Sequence, residues 1–261
     1  MQLSFVIPTR NQSQFLRQCI DGCLAQRITD AEVLVVDGAS TDDTVAVLES
    51  YGDRVRWISE RDTGQSDAIN KAVRLARGEI IAWINSDDYY ASSSVIERLL
   101  TVFASEPSCD IVYGDGVRVD EAGRELGPYR SMPITRVAQI VTHPASFVLQ
   151  PTLLFRRALF LEVGGVDESL HYTMDYELWI RLFSAARSTR YVAADIACAR
   201  YHENAKSVAA MGKQIRELYR VKRDNARKLS LGPIDRARMY AGMASLGAYW
   251  AAARLGLKRV A

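Results

Sequence analysis

Asp87 and Asp88 stand side by side directly after the apolar run Glu79–Asn85, in the stretch WINSDDYY. Two adjacent carboxylates at a strand end repel one another unless a cation or hydrogen-bond donors offset their charge. A hard divalent ion, Mg²⁺ or Mn²⁺, suits such a pair. These ions take few protein carboxylates and fill their remaining positions with phosphate and water oxygens. The dipeptide therefore reads as a holder of a metal–diphosphate. Its bland alternative is a cap for the helix that starts near Ser92.

The elements that must position this pair follow from hydrophobic periodicity. LSFVIPT, AEVLVVDGAS, RVRWISE and EIIAWINSDD are short apolar runs, read as buried strands. Between them SQFLRQCIDGCLAQ, STDDTVAVLESYG and GQSDAINKAVRLARG carry helical spacing. Ser40 or Thr41 stands where a cap belongs on the second of these helices, and Gly52 and Gly78 stand where helices end. Strand–helix alternation at this spacing implies an α/β fold with a parallel, doubly wound sheet. Its ligands belong in the crevice beyond the carboxyl ends of the strands. Those ends carry Pro8, Thr9 and Asn11; Asp37 and Ser40; Asp62; and Asn85, Asp87 and Asp88. Beyond Tyr90 the expected order is a helix, a hairpin turning at Glu121–Gly123, a less regular stretch from Pro133 to Phe155, two helices, a late strand and a helical C-terminal region.

The chain has 261 residues, 48% hydrophobic and 25% charged, the ordinary composition of a folded globular protein. A net charge of +2 lacks the strongly basic balance of nucleic-acid binders. Cys19, Cys23, Cys109 and Cys198 form no CxxC pair and read as reduced thiols in a cytoplasmic protein. The N-terminal segment has no signal-peptide pattern. Neither GxxxxGK[ST] nor GxGxxG follows the first strand, which weighs against NTPases and dinucleotide dehydrogenases. Near the C-terminus about twenty small apolar residues are flanked or interrupted by Arg236, Arg238, Arg254, Lys258 and Arg259. Arg254 disfavours a spanning helix. With Tyr249 and Trp250 the segment reads either as a helix lying on an anionic membrane surface or as one packed on the rest of the protein or on a second copy in a homodimer.

Four strings together, SFVIPTRNQSQFLRQCIDGCLAQ, EVLVVDGASTDDT, ERDTGQSDAINKAVRLARGEIIAWINSDDYY and GGVDESLHYTMDYELWIRL, resemble family 2 glycosyltransferases of the GT-A fold, over residues 1–205. The resemblance implies a mostly parallel Rossmann-like sheet with helices on both faces. Residues 1–90 would be its nucleotide-binding half, 91–205 its acceptor and catalytic half, and 206–261 a helical extension. It implies inverting transfer of a sugar from a nucleotide-diphospho-sugar, UDP-linked, to a glycan or lipid-linked glycan in surface polysaccharide synthesis at the inner face of the membrane. Pro8, Thr9 and Asn11 match its nucleotide-contacting turn, Asp37 its base-binding acid, Asp67 a position near base and ribose, and Asn70 a supporting one. Asp87 matches a ribose or metal-water contact and Asp88 the metal ligand of the DxD motif, with Asn85 where many relatives carry Asp. Asp175 matches the general base. A hydroxyl is a poor nucleophile, and a carboxylate in hydrogen-bond reach removes its proton as the glycosidic bond forms. Glu177 and Trp179 read as structural. His202 matches a late metal ligand, with Arg200 and Lys206 near phosphate. Gln150, Asp167 and His171 are assigned to the acceptor cleft, and Gly164–Gly165 to a tight turn. Two other readings stand beside this one: a sugar nucleotidyltransferase, and a non-catalytic nucleotide-sugar-binding scaffold.

Overall fold

The alternation of side chains along each apolar run decides the layering. In the computed structural model, which describes residues 2–202 and 211–254, β1 (Leu3–Thr9), β2 (Ala31–Asp37), β3 (Arg56–Ser59) and β4 (Ile80–Trp83) form a parallel sheet in the order β3-β2-β1-β4. Every residue of β1 and β4 is buried. Successive side chains point to opposite faces. Phe5, Ile7, Val33, Val35, Ile80 and Ala82 therefore join one core, with Leu16, Ile20 and Cys23 of α1 (Ser13–Leu24). Val6, Leu34, Val36, Ile81 and Trp83 join the other, with Ile69 and Val73 of α3 (Gln65–Leu75). Each fully buried Val, Leu, Ile or Phe contributes about 1.5–3 kcal/mol relative to exposure, so the runs are fixed from both sides. The parallel registers align Thr9 with Asp37 and Asp37 with Ser59, which sets the polar strand ends along one edge.

Two helix ends differ from expectation. α2 (Thr44–Glu49) begins after Asp43 with no side-chain cap, because Ser40 turns back to Asp37 and Thr41 donates to Asn11. Gly52 opens a short 3₁₀ turn instead of ending the helix. α3 stops at Leu75, before Gly78. Gly78 donates its N–H to Ser4 Oγ at 2.8 Å, and its Cα lies too close to the Ser4 backbone for any Cβ.

The second half of the sheet is mixed. β5 (Tyr89–Tyr90) is followed by α4 (Val95–Ser105), then by the hairpin β6 (Ile111–Val119) and β7 (Glu125–Tyr129). The stretch from Pro133 to Phe155 holds α5 (Val137–Thr142) and most of β8 (Leu153–Arg156), which runs antiparallel between β4 and β6. α6 (Arg157–Glu162), α7 (Met174–Ala185) and β9 (Thr189–Arg200) complete this half. β9 pairs parallel with β6 and antiparallel with the two-residue β5. α8 (Met211–Lys228) and α9 (Pro233–Arg254) pack against α5, burying Leu218, Val221, Met239 and Met243 in the same core as Trp83 and Trp179. The packed alternative for the C-terminal region therefore holds for the first part of α9. Lys206, Lys258, Arg259 and the 205/206 boundary lie outside the described residues, as do the side chains of Tyr249, Trp250 and Arg254. Among the described residues no helix is long and apolar enough to cross a membrane.

Candidate active site

A cleft of about 550 Å³ opens beyond the carboxyl ends of β1 and β4. Of the residues assigned to the site from sequence, Pro8, Thr9, Asp62, Asn85, Asp87, Asp88, Gln150, His171 and Asp175 line it. The short β5–β9 ladder aligns Tyr89 with Cys198. This draws the end of β9 onto the Asp87–Asp88 pair, across more than a hundred residues of sequence. Arg200 N–H donates to Asp88 Oδ1 at 2.9 Å, and His202 Nε2 lies 3.1 Å from Asp87 Oδ2. The His202 ring packs on Phe15 with centroids 5.1 Å apart. Arg200 is sandwiched between the Phe15 and Tyr89 rings, 4.6 and 5.4 Å from their centroids, and donates to Gln18 Oε1 at 2.7 Å.

Burial pushes the Asp88 carboxyl well above the usual carboxylate range. The adjacent Asp87 charge adds to this, and the Arg200 N–H and charge oppose it. The capping alternative for the pair does not describe this geometry, since α4 begins at Val95 and Asp88 turns inward to Arg200. Several polar atoms here are buried without a protein partner: Thr9 Oγ1, Arg200 Nε and His202 Nδ1. Buried polar groups are nearly always hydrogen-bonded, so these atoms are suited to a polar ligand.

The donor set fits a divalent ion. Asp87 and Asp88 offer carboxylate oxygens at the cleft, while His202 Nε2 faces Asp87 Oδ2. Among the described residues no cluster of three or more His, Cys, Asp or Glu forms a cage. This suits an ion that completes its shell with diphosphate and water.

Asp175 sits in the first turn of α7 and accepts the Tyr176 N–H at 2.7 Å. Burial raises its carboxyl to about 6, against the lowering effect of the Tyr176 and Asp175 N–H groups. A base titrating there is ionised at neutral pH and is a better proton acceptor than an ordinary carboxylate. Glu177 instead pairs with Arg181 at 2.6 Å, and Trp179 lies fully inside the core. Both are structural, as their sequence context indicates.

Asn85 and Gln150 line the cleft, yet their amides are engaged with one another. Asn85 Oδ1 accepts from Gln65 Nε2 at 2.9 Å and Trp83 Nε1 at 3.2 Å, and Asn85 Nδ2 donates to Gln150 Oε1 at 3.1 Å. Gln150 Nε2 in turn donates to the Trp83 carbonyl at 2.9 Å. The network fixes the end of β4 from which Asp87 and Asp88 project.

Seven further assigned residues do not line the cleft: His202, described above against Asp87, and the six that follow. Asp37 is fully buried and accepts from Ser40 N–H, Ser40 Oγ and Ser59 Oγ, so both it and Ser40 are spent on shaping the turn. Asn11 holds that turn by accepting the Thr41 N–H at 2.8 Å. Asp67 bonds the Thr63 N–H and pairs with Lys71 at 3.1 Å. Asn70 spans Val166, accepting its N–H and donating to its carbonyl, which fixes the Gly164–Gly165 turn, both glycines having positive φ. Asp167 accepts the Ser169 N–H at 2.9 Å. Conversely, Gln65, Tyr129, Ser146, Tyr201 and Gln214 line the cleft without having been assigned to it from sequence, and Arg10 lines it as one of the polar residues at the end of β1. Gln214 belongs to α8, which the sequence places in an extension outside the site.

The fold is of the GT-A kind, and the chain belongs to glycosyl transferase family 2, whose family model matches residues 4–164. It is 30% identical over 205 residues to a PGL/p-HBAD biosynthesis glycosyltransferase of Mycobacterium bovis, covering 77% of this chain and 76% of that protein. An uncharacterized glycosyltransferase of Rickettsia prowazekii is 30% identical over 187 residues, 69% of this chain, and the match spans 58% of the relative's length. Escherichia coli chondroitin synthase is 32% identical over 183 residues, 69% of this chain and 26% of the synthase. Among solved structures, the fold is similar to a mannosyltransferase from Pyrobaculum calidifontis in complex with GDP-Man and Mn²⁺. The TM-score is 0.68 at 18% identity, covering 97% of this chain and 75% of that one. It is also similar to S. aureus TarS 1-349 in complex with UDP-GlcNAc, with TM-score 0.65 at 18% identity, covering 93% and 79%.

Proposed function

We propose that the protein is an inverting glycosyltransferase that moves a sugar from a nucleotide-diphospho-sugar to a hydroxyl of a glycan or lipid-linked glycan. One observation carries the reading. Asp88, Asp87 and Asp175 line a single cleft while approaching it from separate elements, the loop after β4 and the first turn of α7. Metal-diphosphate binding and proton removal need that separation. Asp88 and Asp87, with His202, would hold Mn²⁺ or Mg²⁺ against the donor diphosphate. When bound, the ion supplies charge stabilisation to the departing nucleoside diphosphate. Asp175 takes the proton of the acceptor hydroxyl as that oxygen attacks the anomeric carbon, and a single displacement inverts the configuration. Thr9 Oγ1 and Arg200 Nε are donors available to donor oxygens. Membership in family 2 favours this over nucleotidyl transfer. The ionisable base in the cleft favours it over a scaffold.

The donor is UDP-linked in this reading, supported by the S. aureus relative's UDP-GlcNAc complex, while the GDP-Man complex makes GDP the alternative to test. Residues 1–90 and 91–205 serve as donor and acceptor halves. A place in polysaccharide or glycolipid synthesis is supported by the mycobacterial and chondroitin synthase relatives, and we place it at the inner membrane face. Exposed Arg216, Tyr219, Arg220 and Tyr240 on α8 and α9 suit an anionic headgroup surface.

The test is thermal stability against UDP, GDP, dTDP and CMP, each with and without Mn²⁺, since a ligand that binds only the native state raises its melting temperature. The expected result is a metal-dependent rise with one diphosphate, followed by turnover with its sugar conjugates. No rise with any nucleotide, with or without metal, would refute the donor site.

A further inference from the structure

α8 reaches the loop that launches α7. Its Glu217 carboxylate accepts four hydrogen bonds from three consecutive residues. Oε2 takes the His171 N–H at 3.2 Å. Oε1 takes the Tyr172 and Thr173 N–H groups, both at 2.8 Å, and the Thr173 hydroxyl at 2.9 Å. Successive N–H groups converging on one point make an anion-binding concavity, and here a side chain from the C-terminal region fills it. Thr173 immediately precedes α7, and its hydroxyl is spent on Glu217 instead of capping the helix. Glu217 thus ties the residues just before α7 to α8.

A second tie runs from the same helix. Lys222 is fully buried and donates to the carbonyls of His143 and Pro144, with its ammonium 5.5 Å from the centre of the Tyr176 ring. Tyr176 adjoins Asp175, and its hydroxyl donates to the Ile140 carbonyl at 2.6 Å. Gln214, one turn before Glu217, reaches the cleft wall beside His171 and Tyr172.

We infer that Glu217 is a positioning residue for Asp175. By clamping His171–Thr173 it aims the carboxylate in the first turn of α7 at the acceptor side of the cleft. The inference rests on the assignment of Asp175 as base. Misplacing a reacting group by about 1 Å costs up to about 100-fold in rate, whereas the donor site after β4 makes no use of the clamp.

The experiment compares Glu217→Ala and Glu217→Gln with wild type in the full chain. It measures kcat, donor and acceptor KM, and the melting-temperature rise with the cognate nucleotide and Mn²⁺. In Glu217→Ala, kcat is expected to fall about 10- to 100-fold, with donor KM and the nucleotide-induced rise within twofold of wild type. Glu217→Gln keeps an oxygen for the Tyr172 and Thr173 donors and is expected to recover most of kcat. Three outcomes overturn the inference: kcat within twofold of wild type in Glu217→Ala, a kcat loss matched by loss of nucleotide binding, or no recovery in Glu217→Gln. Should Glu217→Ala fail to fold, Glu217→Asp, one methylene too short for the clamp, is judged by the same criteria. Asp175→Asn, run in parallel, separates the two readings. Wild-type turnover in that variant removes the base assignment itself, whereas an inactive Asp175→Asn beside a fully active Glu217→Ala removes only the clamp.

Discussion

Replacing Asp175 with Asn should leave the protein more stable and without activity. Burial moves the Asp175 carboxyl from 3.8 to about 6. At about 1.4 kcal/mol per pH unit, keeping it ionised at neutral pH costs the fold at most about 3 kcal/mol. The side chain is partly open to the cleft, so solvent screening reduces this to about 1–3 kcal/mol. The folded state binds this proton more tightly than the unfolded chain. The stabilisation from protonation is therefore complete below pH 3.8 and lost as pH rises through about 6. An Asn side chain is free of that loss and still accepts the Tyr176 N–H through Oδ1. For a chain of this size 1 kcal/mol corresponds to roughly 2–4 °C, so Asp175→Asn should melt roughly 2–12 °C higher at pH 8. The gap should close towards pH 4.5. Scanning calorimetry of both proteins across that range, beside a transfer assay, measures it. Turnover should fall at least about 100-fold with nucleotide binding intact. A melting-temperature difference that does not change with pH, or a variant less stable at pH 8, would refute the desolvated-base argument.

Further outcomes follow from the same geometry. Asp88→Ala should abolish the Mn²⁺-dependent part of nucleotide binding while changing metal-free melting by less than the nucleotide shift, as read by thermal denaturation with and without metal. The rate profile of kcat/KM should show an acidic limb near pH 6, because the active form of Asp175 is lost as pH falls through that value. A limb near pH 4 would point to a solvated carboxylate. Gly165→Ala should destabilise by about 1–3 kcal/mol in chemical denaturation. Its φ is +75°, and a Cβ there would lie 2.5 Å from Asn70 Oδ1, the acceptor for the Val166 N–H. A change below 0.5 kcal/mol would show that the Asn70 brace is not needed.

The layered α/β core was legible because its signals are local. A strand buried on both faces is apolar along most of its length, and an amphipathic helix repeats its apolar residues every three or four. β1, β2 and β4 show the first pattern, and α1 and α3 the second. The helix ends were less legible. Ser40 and Gly78 have the residue types of a cap and a stop, but Ser40 answers to Asp37 and Gly78 to Ser4, partners supplied by neighbouring strands and turns. β5 went unseen because two tyrosines carry no periodicity and exist as a strand only through β9.

By itself the sequence determined the strand ends, the Asp87–Asp88 pair and the TMDYELW segment, since residue type and spacing survive without a fold. Tertiary structure decided which polar groups face the cleft. Asp37 and Asp67 carry the same carboxylate as Asp88 and Asp175, and Asn70 an amide, yet these three lie off the cleft, bonded to Ser40 and Ser59, to Thr63 and Lys71, and to Val166. It also brought His202 to Asp87 and Glu217 to the start of α7, through a strand ladder and a helix packing that no local pattern encodes. A hydrogen bond has one geometry and a carboxylate few lone pairs, so whether a side chain holds the fold or meets a ligand is settled only once its neighbours are in place.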